Sequence, residues 1–568
     1  MNEKLNDKYM ELANLIFPEI VETVEDLEIK YPKRQLKPGA CVTRFAPSPT
    51  GFLHTGALFT SLVNKKLAMQ TDGVFFLRIE DTDRKREVKG SIKLFTKELK
   101  QYGLSPMEGV ISDTEQIGLY GPYIQSEREK IYNICAKRLI EKGLAYPCFC
   151  TTDMIAKTKE TQEKNKVIPG YYGVYAKCRN ISIDESIEKV KSGEKYILRF
   201  RSNGSHLKKT FFIDAVRGKI EIAQNDQDVV LIKADGLPTY HFAHVVDDHF
   251  MRTTHVVRGE EWISSTPIHI ELFEAMGFEK PVYVHVPLIL VKDGNSKRKL
   301  SKRKDKEAAV SYFLKSGYQA DAVMEYLYTI LNSDFEIWRS KNKETKRSEF
   351  KMNLNKMSSA GSLLDIMKLN DISKELISKM DSKEVLENVL AWTKTNEKQL
   401  YDILSKDLKY SKEIFALERD GAKKIRKDIT KWEDIKENFF YFFDELYMED
   451  FKKNGYEFDY LTNKENTKID SKITKKALEL YIKKYCENDD KQSWFETLKS
   501  CANELEFCTD MKEYKQNPDK YIGSTSDFAT IIRVAVTNRH NTPDIYAIMQ
   551  LIGKDETLKR LKMAIDKI

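Results

Sequence analysis

No run of apolar residues in this 568-residue chain approaches the ~18–20 positions that a membrane-spanning helix needs, which excludes a helical membrane protein. A strong charge of one sign is also missing. The 94 Lys and Arg against 87 Asp and Glu leave only +7, a mild excess for this length. The charged fraction of 32% lies above the ~25% of an average domain, so it describes a very polar surface before it describes a polyanion-binding protein. The first forty residues are not poor in acids, as Glu22–Glu28 shows, which argues against both a secretory signal and an Arg-rich transit peptide. Cysteine is sparse, at eight residues, and without a signal these thiols are expected to be reduced and the protein cytoplasmic. Glycine and proline thin out after about residue 305, and no internal repeat or long low-complexity tract occurs. Disorder is expected nowhere except at 339–350.

What is present divides into different rhythms. The length implies roughly two to four domains. Residues 1–40 form an N-terminal extension, helical and then extended, expected to pack beside the first domain. Cys41–Ala46 is a short apolar strand, Ala57–Gln70 has helical spacing, Asp72-Gly73 breaks it, and Val74–Ile79 is a buried strand. Strand, helix and strand in that order imply a parallel, Rossmann-like α/β sheet, whose first half is placed at 41–145. Residues 146–228 interrupt it and predict an inserted α+β domain, and 229–295 a return to the sheet. The expected strands there are Val229–Ile232, Tyr240–Val246, His255–Arg258 and Val282–Leu290, with a helix capped by Thr266 and carrying Pro267 at its first position. Residues 296–390 form a signature-loop and helical junction, and 391–568 a helical domain, in an all-α C-terminal half. The basic clusters Arg339–Lys343, Lys346-Arg347 and Lys423–Lys427 each read first as a solvated face, and as an RNA surface only beside a nucleotide site.

Two short stretches carry chemistry. Arg44–Gly56 holds a Pro/Gly turn, Pro47-Ser48-Pro49-Thr50-Gly51, followed by His54-Thr55-Gly56-Ala57 at a helix start. Backbone N–H groups at a helix N-terminus suit phosphate, His54 can donate to a phosphate oxygen, and Gly56 lets a nucleotide approach the backbone. Lys299-Leu300-Ser301-Lys302-Arg303 is a basic loop far down the chain; alone it passes for a surface cluster. Paired with the first stretch it suits nucleotidyl transfer, which depends on positioning and on neutralising developing charge.

Together the two stretches resemble the signatures of class I aminoacyl-tRNA synthetases, His-x-Gly-His and Lys-Met-Ser-Lys-Ser, and the closer resemblance is to the bacterial glutamyl branch. Ala57 stands where the first signature has its second His, a small residue common in that branch. Pro47-Ser48-Pro49-Thr50 separates the chain from glutaminyl enzymes and their glutamyl relatives, which have Pro-Glu-Pro there. The similarity is strong over about 41–310, diffuse over about 330–520, and returns at Ile532–Thr537 and Pro543–Tyr546. The resemblance implies His54, Lys299 and Lys302 as catalytic groups, and with Gly56 as the ATP site. It implies Arg44, Ser48, Glu80, Tyr240, Arg258 and Trp262 as the glutamate site. An acidic substrate needs a cation, for which Arg44 and Arg258 are the candidates, and Glu80 suits the α-ammonium group. His244 departs from the Asn of some relatives.

The expected reaction is ATP-dependent, Mg²⁺-assisted ligation of L-glutamate to tRNA(Glu) through a glutamyl-adenylate, by a monomer, with tRNA(Gln) as a possible second substrate. Two rivals are a paralogue that modifies a tRNA base and a catalytically silent RNA-binding protein. The helical half argues against the first, and the retained His54, Lys299 and Lys302 against the second. Cys148, Cys150 and Cys178 resemble the Cys-x-Cys…Cys-x-His zinc site of some bacterial glutamyl enzymes, but Asn180 replaces the His. Three packed thiols are the favoured reading; zinc, completed by Tyr171 or Tyr172, is the alternative. Cys41, Cys135, Cys486, Cys501 and Cys508 are expected to be ordinary buried or partly buried thiols.

Overall fold

The computed structural model describes residues 3–456 and 469–568. It resolves into two compact units, Met1–Phe313 with Met324–Asp365, and Leu314–Val323 with Ile366–Ile568. The 296–390 stretch runs across both units.

In the first unit the strand Val42–Phe45 pairs in parallel with Val74–Leu77, joined by the helix Thr55–Gln70. That helix buries Leu58, Phe59, Leu62, Val63, Leu67 and Ala68, a wide apolar face that places it against the sheet. The second strand continues in parallel to Glu108–Val110. Gly73 permits the close approach of the first two strands, since a Cβ there would lie 2.0 Å from the Cys41 carbonyl oxygen. On the other side, the N–H of Thr254 donates to Val42 O (3.0 Å) and the Thr254 hydroxyl accepts from Val42 N–H (2.8 Å). This sets the parallel pair His255–Gly259 and Val282–Val286 beside the first strand. The C-terminal ends of these strands open on one crevice, the usual ligand position in such sheets.

Several sequence expectations are corrected. Tyr240–Val246 is not a strand but the start of the helix Tyr240–Phe250, whose buried Phe242, Val245, Val246 and Phe250 follow helical spacing. The strand expected at Val229–Ile232 covers Val230–Ile232 and does not rejoin the parallel sheet. It pairs antiparallel with Ile197–Phe200, which pairs with Ala145–Cys148. Conversely, the hairpin Lys209–Asp214 and Gly218–Ala223, within the expected insertion, joins the edge of the Val282–Val286 strand. Thr266 is the first helical residue rather than the cap, because the 3₁₀ turn Glu260–Ser265 runs straight into the helix Thr266–Met276. Val282–Leu290 breaks at Pro287 into two strands, the second of which, Ile289–Asp293, forms a hairpin with Ser296–Lys299. One short strand, Ser362–Leu363, does occur beyond 305, on the edge of that hairpin.

The segment 339–350 is ordered. Arg339 pairs with Glu325 (2.5 Å) and donates to the carbonyls of Asn342 (2.9 Å) and Thr345 (2.6 Å), and Phe350 is buried. The N-terminal extension forms helices Glu3–Ile16 and Val24–Lys30, the second closed by a Thr23/Asp26 capping box.

The second unit is built of helices joined by irregular segments, with no strand among its described residues. Its core includes Phe528, Ile531, Ile532 and Val534–Val536 of the helix Thr525–Thr537. Arg560 is wholly buried yet satisfied, donating to the carbonyls of Tyr441 (2.6 Å) and Val536 (3.0 Å) and pairing with Glu556 and Asp444. Cys486 is exposed, unlike the other scattered cysteines.

Candidate active site

The crevice at the strand ends encloses about 660 Å³. Its lining includes Arg44, Ser48, His54, Gly56, Glu80, Tyr240, Arg258, Trp262, Lys299 and Lys302, the full set expected for ATP and glutamate. Residues separated by up to 258 positions therefore share one cavity (302 − 44 = 258).

The first wall is the turn after strand Val42–Phe45. Ser48 O accepts from Thr50 N–H (2.8 Å), and Gly51 takes φ +114°, a conformation that favours glycine. His54 then caps the helix: its Nδ1 accepts the N–H of Gly56 at 2.9 Å. That bond fixes the tautomer, placing the ring proton on Nε2. Burial first, and the Lys302 ammonium second, hold the imidazole below its ordinary pKa, so it is neutral at physiological pH.

The loop of the second motif is tied to the same turn. Leu300 is buried and its N–H donates to Ile289 O (3.0 Å), while Asp305 accepts from Ser301 N–H (2.8 Å) and from Arg298 (2.6 and 2.7 Å). The Thr55 hydroxyl donates to Glu307 O (2.6 Å), and Val310 N–H to Leu53 O (3.0 Å). The two lysines differ. Lys299 Nζ pairs with Glu261 at 3.0 Å. Lys302 Nζ donates to Phe52 O (3.0 Å) and lies 4.6 Å from the Phe52 ring centroid, with no carboxylate at ion-pair distance among the described residues.

Beneath the crevice lies a buried charge network that sequence reasoning missed. Asp248 accepts from Arg44 Nε (3.0 Å), Arg78 Nη1 (2.8 Å) and the Thr253 hydroxyl (3.1 Å), and stands 2.6 Å from His244 Nδ1. Asp247 accepts from Arg128 Nε (2.6 Å), Gln125 (2.8 Å) and Tyr132 (2.9 Å). Burial alone would raise the Asp248 carboxyl, but Arg44 and Arg78 outweigh it and hold it well below the usual range. Arg44 thus spends Nε on Asp248 and Nη1 on Val257 O (3.2 Å), and Nη2 makes no bond among the described residues. Glu80 accepts from Arg78 at 3.0 Å through one oxygen, and burial pushes its carboxyl up. The acidic pair at 247–248 was the available signal, concealed by the expectation of a strand before it.

Arg258 is held differently. Its Nε donates to His285 Nε2 (3.0 Å), Nη1 bonds His269 Nδ1 (3.1 Å), and Nη2 donates to the Thr266 hydroxyl (2.9 Å). All are neutral acceptors, and no carboxylate lies within ion-pair distance among the described residues. Arg258 is 5% exposed, so its charge is largely desolvated and is not compensated by a contacting carboxylate. Tyr240 and Trp262 pack with ring centroids 4.3 Å apart beside it.

The three grouped cysteines also converge. The sulfurs of Cys148, Cys150 and Cys178 all lie within 4.8 Å of one another. The Tyr171 hydroxyl is 3.3 Å from both Cys148 and Cys150 and accepts from Cys178 N–H (3.0 Å), while Tyr172 donates instead to Ile168 O. The three thiols are close enough to hold one metal ion together, and the Tyr171 hydroxyl is the oxygen that lies against them.

The profile of the family described as "tRNA synthetases class I (E and Q), catalytic domain" matches residues 40–371, and that of "Anticodon binding domain" matches 522–565. A glutamate–tRNA ligase of Clostridium beijerinckii is 47% identical, covering 97% of this chain and 98% of its own. One of Acetivibrio thermocellus is 43% identical over 98% of this chain and 99% of its own. Among solved structures, a glutamate–tRNA synthetase of Elizabethkingia anophelis aligns with TM-score 0.70 at 26% identity, over 93% of this chain and 100% of that one. A glutamate tRNA ligase of Elizabethkingia meningosepticum, solved in complex with its amino acid, gives 0.69 at 26% identity, over 93% and 99%.

Proposed function

The chain belongs to the class I tRNA synthetases of the glutamate and glutamine type, and on that footing we propose that its crevice joins L-glutamate to tRNA(Glu) through a glutamyl-adenylate. The observation that carries this is the convergence of both signature stretches and the glutamate set on one cavity.

The substrate's side-chain carboxylate faces Arg258, the guanidinium with no carboxylate partner, and receives a further bond from Arg44 Nη2. Glu80, with one oxygen uncommitted, takes the α-ammonium group. The α-carboxylate then attacks the α-phosphorus of ATP; a P–O bond forms to glutamate, and the bond to pyrophosphate breaks with its electron pair. His54 Nε2–H holds the phosphates, Gly56, whose own N–H is taken by His54 Nδ1, leaves room for the nucleotide beside the helix start, and Lys302 neutralises the charge that develops on the leaving group. In the second step the terminal ribose hydroxyl of tRNA attacks the carbonyl carbon of the adenylate; a C–O bond forms to the ribose, the C–O bond to the phosphate breaks with its electron pair, and AMP departs as the hydroxyl gives up its proton. Mg²⁺ supplies charge neutralisation on the phosphates. The carboxylates lining the crevice are Glu80, assigned to the α-ammonium group, and Glu261, paired with Lys299, so the ion would arrive on ATP rather than in a protein cage.

The helical second unit would read the anticodon, which the match over 522–565 supports. Phosphate contacts make tRNA affinity fall steeply with salt. The Cys148, Cys150, Cys178 and Tyr171 set would hold a structural zinc, and elemental analysis of the purified protein reads this directly: about one zinc per chain supports it, and clearly substoichiometric metal refutes it.

The deciding experiment charges purified tRNA(Glu) and tRNA(Gln) side by side with radiolabelled glutamate. Glutamylation of tRNA(Glu) alone supports the proposal as stated, and equal charging of both identifies a non-discriminating enzyme. ATP–pyrophosphate exchange that proceeds without tRNA favours the base-modifying rival. No exchange under any condition overturns the catalytic assignment.

A further inference from the structure

Arg258 owes its orientation to a residue outside the crevice. The strand Lys209–Asp214 ends in Asp214, 1% exposed, whose two oxygens are saturated by four donors. Oδ1 accepts the N–H groups of Val216 (3.0 Å) and Arg217 (2.9 Å). Oδ2 accepts both the backbone N–H of His285 (3.0 Å) and its ring Nδ1 (2.7 Å). With the ring proton drawn to Nδ1, Nε2 presents its lone pair to the Nε–H of Arg258 at 3.0 Å. The opposite tautomer would set two N–H groups against each other. The His285 ring is itself fixed between Tyr283, stacked at 5.8 Å, and Phe212, edge-on at 6.0 Å.

We propose that Asp214 and His285 form a positioning relay for Arg258, aiming its guanidinium at the substrate carboxylate while keeping a carboxylate out of contact with it. A direct Asp–Arg pair at this site would hold the fork equally well but would neutralise the charge meant for the substrate. One imidazole of separation gives Arg258 a fixed orientation and leaves that charge available. Burial would push the His285 ring down, and the Asp214 contact only partly offsets this, so the ring remains a neutral acceptor. The turn carrying Asp214 is clamped a second time, because Arg217 pairs with Glu260, two residues past Arg258, and Glu260 accepts Leu288 N–H (3.0 Å). The hairpin of residues 209–223 therefore bears on the amino-acid subsite through both ends of its turn.

This rests on the glutamate reading of the crevice, and the test separates the two. In ATP–pyrophosphate exchange with saturating tRNA, His285→Phe keeps the ring volume and removes the acceptor. The KM for glutamate should rise about tenfold, the scale of one lost charge-assisted bond, with the KM for ATP unchanged. His285→Gln, which restores an oxygen acceptor, should return the glutamate KM to within about threefold of the parent. Asp214→Asn, read in the same assay, should raise it in the same selective way and covers the case in which the Phe variant does not fold. A glutamate KM unaltered in both His285→Phe and Asp214→Asn, or a parallel rise in the ATP KM, overturns the relay. A parent protein that fails to activate glutamate overturns the functional reading instead.

Discussion

The two lysines of the second motif are alike in sequence and unlike in structure, which predicts unequal losses on truncation. Lys302 has no carboxylate partner among the described residues and rests only on Phe52 O and the Phe52 ring. On the proposed reaction its ammonium is free to follow the charge that develops on the departing pyrophosphate. Removing one preorganised donor from such a position costs about 10²–10³ in rate, or ~3–4 kcal/mol of transition-state stabilisation. The resting contacts are worth ~1 kcal/mol or less on a largely exposed side chain, so Lys302→Ala should leave the melting temperature nearly unchanged. Lys299 already pairs with Glu261 at 3.0 Å, both groups about half exposed. It must give up an interaction worth ~0.2–1 kcal/mol before it can serve ATP, and part of its charge is cancelled while it stays. Lys299→Ala should therefore lose only about tenfold, and Glu261→Gln should lower the KM for ATP by freeing the ammonium. Single-turnover adenylate formation at saturating glutamate and tRNA measures all three. The ranking fails if Lys302→Ala retains activity within threefold, or if Lys299→Ala proves the more damaging change.

Three further outcomes follow from the same geometry. Burial pushes His241 down to about 4 and His244 down to about 3, and holds His269 well below its ordinary value. As the pH falls below the unfolded value of about 6.5, the unfolded chain takes up protons that the native one refuses. Stability is therefore whole above that pH and is lost progressively toward about pH 4; thermal melts across this range check it, and His241→Gln should flatten the curve. Asp248→Asn leaves Arg44, Arg78 and Arg128 facing only Asp247 and Glu80, and breaking such a buried pair costs ~3–5 kcal/mol; a urea titration followed by loss of glutamate activation should show the lower midpoint. Gly73→Ala sets a methyl group 2.0 Å from the Cys41 carbonyl oxygen, a backbone atom that cannot rotate aside, so a loss of ~1–3 kcal/mol or more and a lower melting temperature are expected.

The parallel unit at the start of the chain was legible because its signals agree: two short apolar strands, a long helix between them, and Asp72-Gly73 at the break. The helix Tyr240–Phe250 was not, for two reasons. Tyr240, Phe242, Val245 and Val246 are strong strand formers, so local preference points the wrong way. Its inward face also carries His244, Asp247 and Asp248, which a polar/apolar pattern assigns to solvent. Their burial is stable only because Arg44, Arg78 and Arg128 meet them from elsewhere in the chain. Tertiary pairing overrode propensity there, as it did where the edge strand Val230–Ile232 chose an antiparallel neighbour over the parallel sheet.

The same contrast explains which site residues could be read. The groups proposed to face ATP sit within a few positions of one another, His54 beside Gly56 and Lys299 beside Lys302, because one turn would have to present them to one ligand. Their spacing is itself the signal. The groups that support them obey no such rule. Arg44 meets Asp248 across 204 positions, Arg78 meets it across 170, and Asp214 meets His285 across 71. A support residue is constrained by where it lies in space and by the charge or lone pair it must offer, and the chain can deliver it from any element that passes. Arg258 shows the consequence: its type was legible from the motif around it, whereas its neutral cage, which leaves its charge without a contacting carboxylate, exists only once five separate segments have met.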